Sequence, residues 1–373
     1  MEVFTRADSP TAPAVVSVEP GFRVHHVPAG PLAPVVKEAL PELVEEWTAA
    51  VGRLLAADPV DAIHANYWLS GVAGHALKHQ LDLPLISTFH TLDRVKAEAS
   101  PEEQAAAEPA RRAHAEAEII GCSDAVLASC SVEAAQLSEL YGAPAERVEI
   151  VAPGVDLAFF GPGDQGQARR AVGLEPDQPI ILFVGRIQPL KGLTVAVEAL
   201  AQLRSRPSSR VARAALVVVG GPSGPHGCEE LAAAHALVER HHLHDAVRWV
   251  PPQPHEMLST YFRAADVCVV PSRSESFGLV ALEAAACGIP VVAAAVGGLT
   301  TLVDDGHSGF LVEARDPAAY ADRLARLLDD GELAARFGWA GRRRAERYTW
   351  AAAAAALAQV GERCTTGALV ACR

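Results

Sequence analysis

The sequence predicts an α/β protein made of two Rossmann-like domains that face each other across a cleft. Three observations carry this reading. Short Val/Ile/Leu runs alternate with longer helical patterns along the whole chain, as in parallel sheets covered by helices. A Gly/Pro-rich stretch, APGVDLAFFGPGD at 152–164, has neither a strand nor a helix period and splits the alternation into two series. The length, 373 residues, gives each series enough chain to bury its own core.

In the first series, strands are expected at 2–5, 23–27, 62–64, 84–88, 125–128 and 148–151, where β-branched and apolar residues cluster. Helical spacing covers 37–57, 70–80, 110–120 and 131–141. After the linker, strands are expected at 180–184, 216–219, 247–250, 267–270, 291–294 and 309–312. Helices fit 191–205, 228–242, 254–264, 278–287, 317–329, 331–346 and 350–360. The final residues, ERCTTGALVACR, are expected to fray. The boundaries that follow are a first domain over 1–160, a second over 161–345, and a segment 346–373 whose helix returns to the first domain.

Composition excludes several classes. With 32 basic and 45 acidic side chains the net charge is −13, which argues against nucleic acid and anionic lipid as partners. No apolar run approaches the ~18–20 residues of a membrane span. The opening MEVFTRADSP lacks the cationic-then-apolar pattern of a secretion signal, so a cytoplasmic location is expected. Seven cysteines are scattered, with no pair at a metal-ligand or thioredoxin spacing. They read as buried or idle thiols of a reducing compartment. Only 4 lysines stand against 28 arginines, so each lysine merits inspection.

The sharpest motif runs from Pro271 through Glu275, Ser276, Phe277, Gly278 and Leu279 to Glu283. A strand end, a glycine and a helix start expose backbone N–H groups that favour an anion. Glu275 can accept hydrogen bonds from sugar hydroxyls and Glu283 can hold a ribose diol; the bland alternative is a capping glutamate and a solvated one. A second motif, FVGRIQPLKG at 183–192, follows the first strand of the second series. Gly185 lets a ligand approach the strand end, and Arg186 and Lys191 can place a fork and a point charge on a pyrophosphate. The turn after Val219 contains Gly221, and Gln253 follows a double proline that can wall a flat base.

Taken together, GRIQPLKG, GGPSG, PPQP, ESFGLVALE, PVVAAAVGG and DDGHSGFLV resemble the retaining glycosyltransferases of family 4, which have the GT-B fold. The motifs lie in order over nearly the whole second domain. The resemblance implies sugar transfer from a nucleoside diphosphate donor with retention, no metal and no cofactor. It implies that Arg186 and Lys191 hold the diphosphate, that Glu275 contacts the donor sugar, and that Glu283 contacts the ribose. Gly185, Gly221, Gln253, Phe277, Gly278 and Leu279 complete the expected donor site. His90, after the strand at 84–88, matches a family histidine that lines the reaction centre, where it hydrogen-bonds the donor sugar.

The first domain is similar to the inositol-phosphate glycosyltransferases of mycothiol synthesis and to sucrose-phosphate synthases. That likeness implies an acceptor-phosphate cage of Lys37, Tyr67, Thr91 and Arg112, with Arg111 equally plausible in the last position. The expected partners are therefore a nucleoside diphosphate sugar and a small phosphorylated polyol or sugar. UDP-glucose and UDP-N-acetylglucosamine fit equally, Gln253 leaves the base open, and a homodimer is left open. A non-catalytic paralogue that binds nucleotide or a partner is the alternative.

One departure stands out. Family members begin with a strand, a Gly-rich loop and a helix before a VFTR-like strand, whereas this chain opens at Met1-Glu-Val-Phe-Thr-Arg6. The expectation is a first domain lacking its initial β-α unit and looser than the second, with the missing unit encoded upstream of the Met1 codon.

Overall fold

A computed structural model describes residues 1–99, 108–207, 210–313 and 315–372. The second series forms one parallel sheet of β8 (Ile180–Val184), β9 (Ala215–Val219), β10 (Val247–Val250), β11 (Val267–Val270), β12 (Val291–Ala294) and β13 (Gly309–Val312). Its spatial order is β10-β9-β8-β11-β12-β13. These strands are nearly continuous apolar runs because both faces are covered. On one face pack α7 (Leu193–Arg204), α8 (Gly227–Arg240), α12 (Pro317–Asp329) and α13 (Gly331–Ala345). On the other lie α9 (His255–Ala264), α10 (Leu279–Ala286) and the short α11 (Leu299–Leu302). The strand order reverses at β8, so a crevice opens beyond the C-terminal ends of β8 and β11.

The first series divides into two sheets. One is parallel, in the order β4 (Ile63–Asn66), β5 (Leu85–Thr88), β6 (Ala125–Ala128), β7 (Val148–Ile150). The other pairs β1 (Glu2–Arg6) with β3 (Phe22–Val27) in parallel, and β3 with β2 (Val15–Glu19) in antiparallel. Among the described residues β1 pairs with β3 alone and β4 with β5 alone, so the two sheets are separate. Around these sheets lie α1 (Val44–Ala57), α2 (Trp68–Leu81), α3 (Asp93–Ala99), α4 (Glu108–Cys122) and α5 (Ser131–Tyr141). After the linker, α6 (Gln165–Ala171) starts on Asp164, whose carboxylate caps the Gln167 amide.

Several details differ from the sequence reading. The stretch 37–57 is one helix by periodicity, but Pro41 breaks it into a 3₁₀ segment, Lys37–Leu43, followed by α1. β2 escapes the pattern because it is short and solvated, and α3 because it is only seven residues long. The tail is not frayed: α14 (Trp350–Thr366) continues past residue 360, and the residues after it are tied down. Thr349 caps α14, whose alanine run has high helix propensity. Val360 of α14 packs on Ile86, Ala125 and Leu127, and Arg363 meets Glu149 at 2.5 Å, so the last helix braces the first domain. The Val360 side chain contributes about 1.5–3 kcal/mol by burial.

The cysteines are also not all idle thiols. Cys122, at the end of α4, and Cys372, in the tail, are joined by a disulfide. Cys130, Cys268 and Cys287 are free and buried, as expected. Sequence spacing could not show the bond, because its partners lie 250 residues apart and meet only when α14 crosses back.

Candidate active site

The crevice at the β8/β11 ends is built from loops whose shapes are set by glycine. β8 ends in Gly185, whose φ of 151° favours glycine and whose missing side chain leaves open space at the strand end. Arg186 follows, exposed and without a protein ion pair among the described residues. Lys191 closes a 3₁₀ turn, Pro189–Lys191, and its Nζ lies 2.7 Å from Glu275 Oε2. Ser272 Oγ donates to the same oxygen at 3.3 Å, leaving Oε1 without a protein partner among the described residues.

The loop bearing Glu275 is fixed from behind. Gly298 N–H donates to the Glu275 carbonyl at 2.9 Å, and a Cβ on Gly297 would stand 1.9 Å from that oxygen. No side chain fits there. Phe277 is buried edge-on to Tyr348, so its ring is structural, while Gly278 begins α10 and Leu279 is exposed beside it.

Glu283 is buried in α10 and accepts a 2.8 Å hydrogen bond from His255 Nε2 when that nitrogen is protonated. Burial pushes its pKa up, and His255 pulls the other way. Gln253 turns back on its own loop, donating to the Pro251 carbonyl at 2.9 Å, and Gly221 lies against Pro252.

Across the cleft, the C-terminal ends of β4 and β5 supply the other half. Tyr67 sits at φ 75°, ψ 158°, a region nearly confined to glycine, and His90 sits at φ 59°. Such backbones cost on the order of 1–3 kcal/mol and gather where function over-determines them. Tyr67 is pinned by its N–H to the Thr88 carbonyl at 2.7 Å, and His90 Nε2 lies 3.2 Å from Asn66 Oδ1. Desolvation lowers the His90 pKa, so the neutral ring is favoured at pH 7.

Arg112 lies over the Tyr67 ring, 5.0 Å from its centroid, and donates to the Thr91 carbonyl at 2.5 Å and the Thr91 hydroxyl at 3.2 Å. Its Nε meets Glu116 at 2.7 Å. Glu116 is itself fully buried, accepting also from the Asp93 amide and the Tyr141 hydroxyl. Arg111, the alternative in the sequence, instead meets exposed Glu42 on the surface. The structure therefore brings Tyr67, Thr91 and Arg112 together and leaves Arg111 outside.

Two site residues escaped the sequence reading. Lys96 on α3 has its pKa lowered to about 8 by burial and by Arg112, Lys37 and Arg186. The signal was present, since the chain has only four lysines and Lys96 is one of them. The other is His255, the partner of Glu283, which begins α9 directly after the double-proline loop.

Comparison with known proteins bears on the family and the fold. The family described as Glycosyl transferases group 1 matches residues 164–344, and the Glycosyl transferase 4-like domain matches residues 1–154. The chain is 46% identical over 371 residues to D-inositol 3-phosphate glycosyltransferase 2 of Catenulispora acidiphila, covering 97% of this chain and 85% of that one. It is 47% identical over 334 residues to the D-inositol 3-phosphate glycosyltransferase of Acidothermus cellulolyticus, covering 89% and 74%. Among solved structures, sucrose-phosphate synthase from Thermosynechococcus elongatus superposes with a TM-score of 0.87 at 34% identity, covering 97% and 88%. Anabaena HepE in complex with UDP-glucose shares the fold, with a TM-score of 0.74 at 22% identity, covering 92% and 86%.

Proposed function

The chain belongs to the GT-B glycosyltransferases of family 4, and on that premise we propose that it transfers a hexose or N-acetylhexosamine, with retention, from a UDP-linked donor to a small phosphorylated polyol. An inositol phosphate is the first acceptor to test, since relatives at 46–47% identity bear that name.

The observation that carries the reading is the gathering of cations at the strand ends: Arg112 lies over Tyr67 and on the Thr91 hydroxyl in the first domain, and Lys191 lies on Glu275 close after exposed Arg186 in the second. A net-acidic protein keeps several cations at one place when ligands there are anionic. Two anions fit: a donor diphosphate at Arg186 and Lys191, and an acceptor phosphate at Lys37, Lys96, Tyr67, Thr91 and Arg112.

The chemistry is a front-face displacement. The acceptor hydroxyl oxygen bonds to the anomeric carbon as the bond from that carbon to the diphosphate oxygen breaks. The hydroxyl proton passes to the leaving diphosphate. Arg186 and Lys191 neutralise the charge that grows on the diphosphate, which is where a fixed cation does most for a transition state. Glu275 Oε1 accepts from donor-sugar hydroxyls, neutral His90 hydrogen-bonds the sugar near the reaction centre, and Glu283 holds the ribose diol. Gln253 borders the base, while Gly185 and the Gly278 end of α10 allow close approach of the phosphates.

The test is a screen of UDP-glucose and UDP-N-acetylglucosamine against inositol phosphates, read by product mass beside calorimetry with UDP. A product carrying one added sugar is the expected result. UDP binding without any product would replace this reading with that of a non-catalytic binder.

A further inference from the structure

We propose that His75, His79, Cys122 and Cys372 form a Zn²⁺ site, available when the Cys122–Cys372 bond is reduced, that fastens the tail to the first domain. His75 and His79 lie four residues apart on α2, hence on one face, with ring centroids 5.0 Å apart. Cys122 is buried at the end of α4, which packs on α2, and the tail delivers Cys372 to the same place. The Cys372 sulfur lies 3.0 Å from His79 Nε2 and 3.7 Å from His75 Nε2. All four potential ligand atoms lie within 4.8 Å of one another.

A disulfide accounts for the two sulfurs but not for two imidazoles beside them. Two thiolates and two imidazoles are the donor set that Zn²⁺ takes in structural sites, at about 2.3 Å for sulfur and 2.0–2.1 Å for nitrogen. Tetrahedral geometry with those lengths sets the sulfurs about 3.8 Å apart. The pair must therefore separate on reduction, while the histidines need only small adjustments. Hard cations that prefer oxygen ligands are disfavoured by this set.

The surroundings hold the tail in place independently of the sulfurs. Val370 N–H donates to Asp124 Oδ1 at 2.7 Å, and Asp124 Oδ2 accepts from Lys78 Nζ at 2.6 Å and from the Leu85 amide at 2.7 Å. Lys78 Nζ also donates to the Cys122 carbonyl at 2.8 Å. Cys372 thus stays near its partners when the bond opens.

The two states interconvert by balanced steps. A dithiol reductant exchanges with the disulfide, giving two protein thiols and the oxidised cyclic dithiol. Zn²⁺ then binds as both thiols lose their protons to solvent. In a reducing compartment the metal form is favoured; a small-molecule disulfide, taking two electrons from the thiolates and two protons as it becomes two thiols, returns the Cys122–Cys372 bond and the ion is released.

The experiment uses the full chain, reduced with a phosphine and then freed of it without air. Co²⁺ is added as the probe. The expected result is one Co²⁺ per chain, with thiolate charge-transfer and tetrahedral d–d bands, displaced by one equivalent of Zn²⁺. The oxidised chain gives no such spectrum, and Cys372→Ser and His79→Ala abolish it, whereas Cys228→Ser leaves it intact. A reduced chain that shows two new thiols but no tetrahedral cobalt would mean a disulfide alone and overturn the proposal. An unchanged spectrum in Cys372→Ser would overturn it too. Metal binding is read without turnover, so neither result bears on the transferase reading.

Discussion

Lys191 Nζ stands 2.7 Å from Glu275 Oε2, so the cation we assign to the diphosphate is held by the carboxylate we assign to the sugar. The pair is half-buried, and each partner keeps the other in the cleft. Removing either one leaves a partly desolvated charge and misplaces the survivor. We expect Lys191→Ala and Glu275→Gln each to lower donor kcat/KM by on the order of 10²-fold or more. The double variant should lose little beyond the worse single, because the residues act as a unit. Steady-state kinetics on the three variants check this, and Lys191→Ala within a few-fold of the parent would remove Lys191 from the mechanism.

Lys96 should give acceptor use an alkaline limb. Its folded pKa is about 8 against an ordinary value of 10.5. Below pH 8 the group is charged in both folded and unfolded states, and the folded protein carries the full cost of burying that charge. Between about 8 and 10.5 the unfolded chain binds more protons, so this contribution to stability improves as pH rises. Acceptor binding runs the other way, because the free enzyme loses a cation through the same window. Lys96→Met should raise Tm at pH 7 and weaken acceptor kcat/KM. Lys96→Arg should keep binding and remove the limb, and a limb that persists in Lys96→Arg would assign it to another group.

Arg112 and Arg111 should behave differently although they are neighbours. Arg111→Ala removes only a surface pair and should leave acceptor KM and Tm nearly unchanged. Arg112→Ala strands buried Glu116 and should cost about 3–5 kcal/mol of stability. Arg112→Lys keeps a charge but loses the fork, so it separates binding from folding: acceptor KM should rise several-fold while most of the stability remains. Thermal melts beside acceptor titrations distinguish these outcomes.

The two domains should also open separately. β8, at the centre of its sheet, is paired on both sides by β9 and β11, whereas among the described residues β1 and β4 have one strand partner each. Hydrogen exchange should therefore be slowest in β8, β9 and β11 and faster in β1 and β4. Equal protection in β4 and β8 would contradict this ordering.

What the sequence made legible follows from what each feature needs. The second sheet is readable because every strand is buried on both faces and spells an apolar run, as IILFV does in β8. The motifs at the ends of β8 and β11 are readable because a glycine, a cation and a carboxylate stand at short offsets from the strand ends. What stays hidden depends on three-dimensional meeting. Nothing near Cys372 announces Cys122, nothing near Lys96 announces Arg186, and Arg111 and Arg112 differ only in which face of α4 each occupies.

The most direct test of the account compares one acceptor with and without its phosphate. With a single UDP-sugar donor, kcat/KM is measured for an inositol phosphate and for free inositol. Losing a charge-assisted, partly buried phosphate contact should cost roughly 10²-fold or more, so the phosphate ester should be preferred by at least that factor. Equal use of the two acceptors would contradict the assignment of Lys37, Lys96, Tyr67, Thr91 and Arg112 as the acceptor-phosphate site.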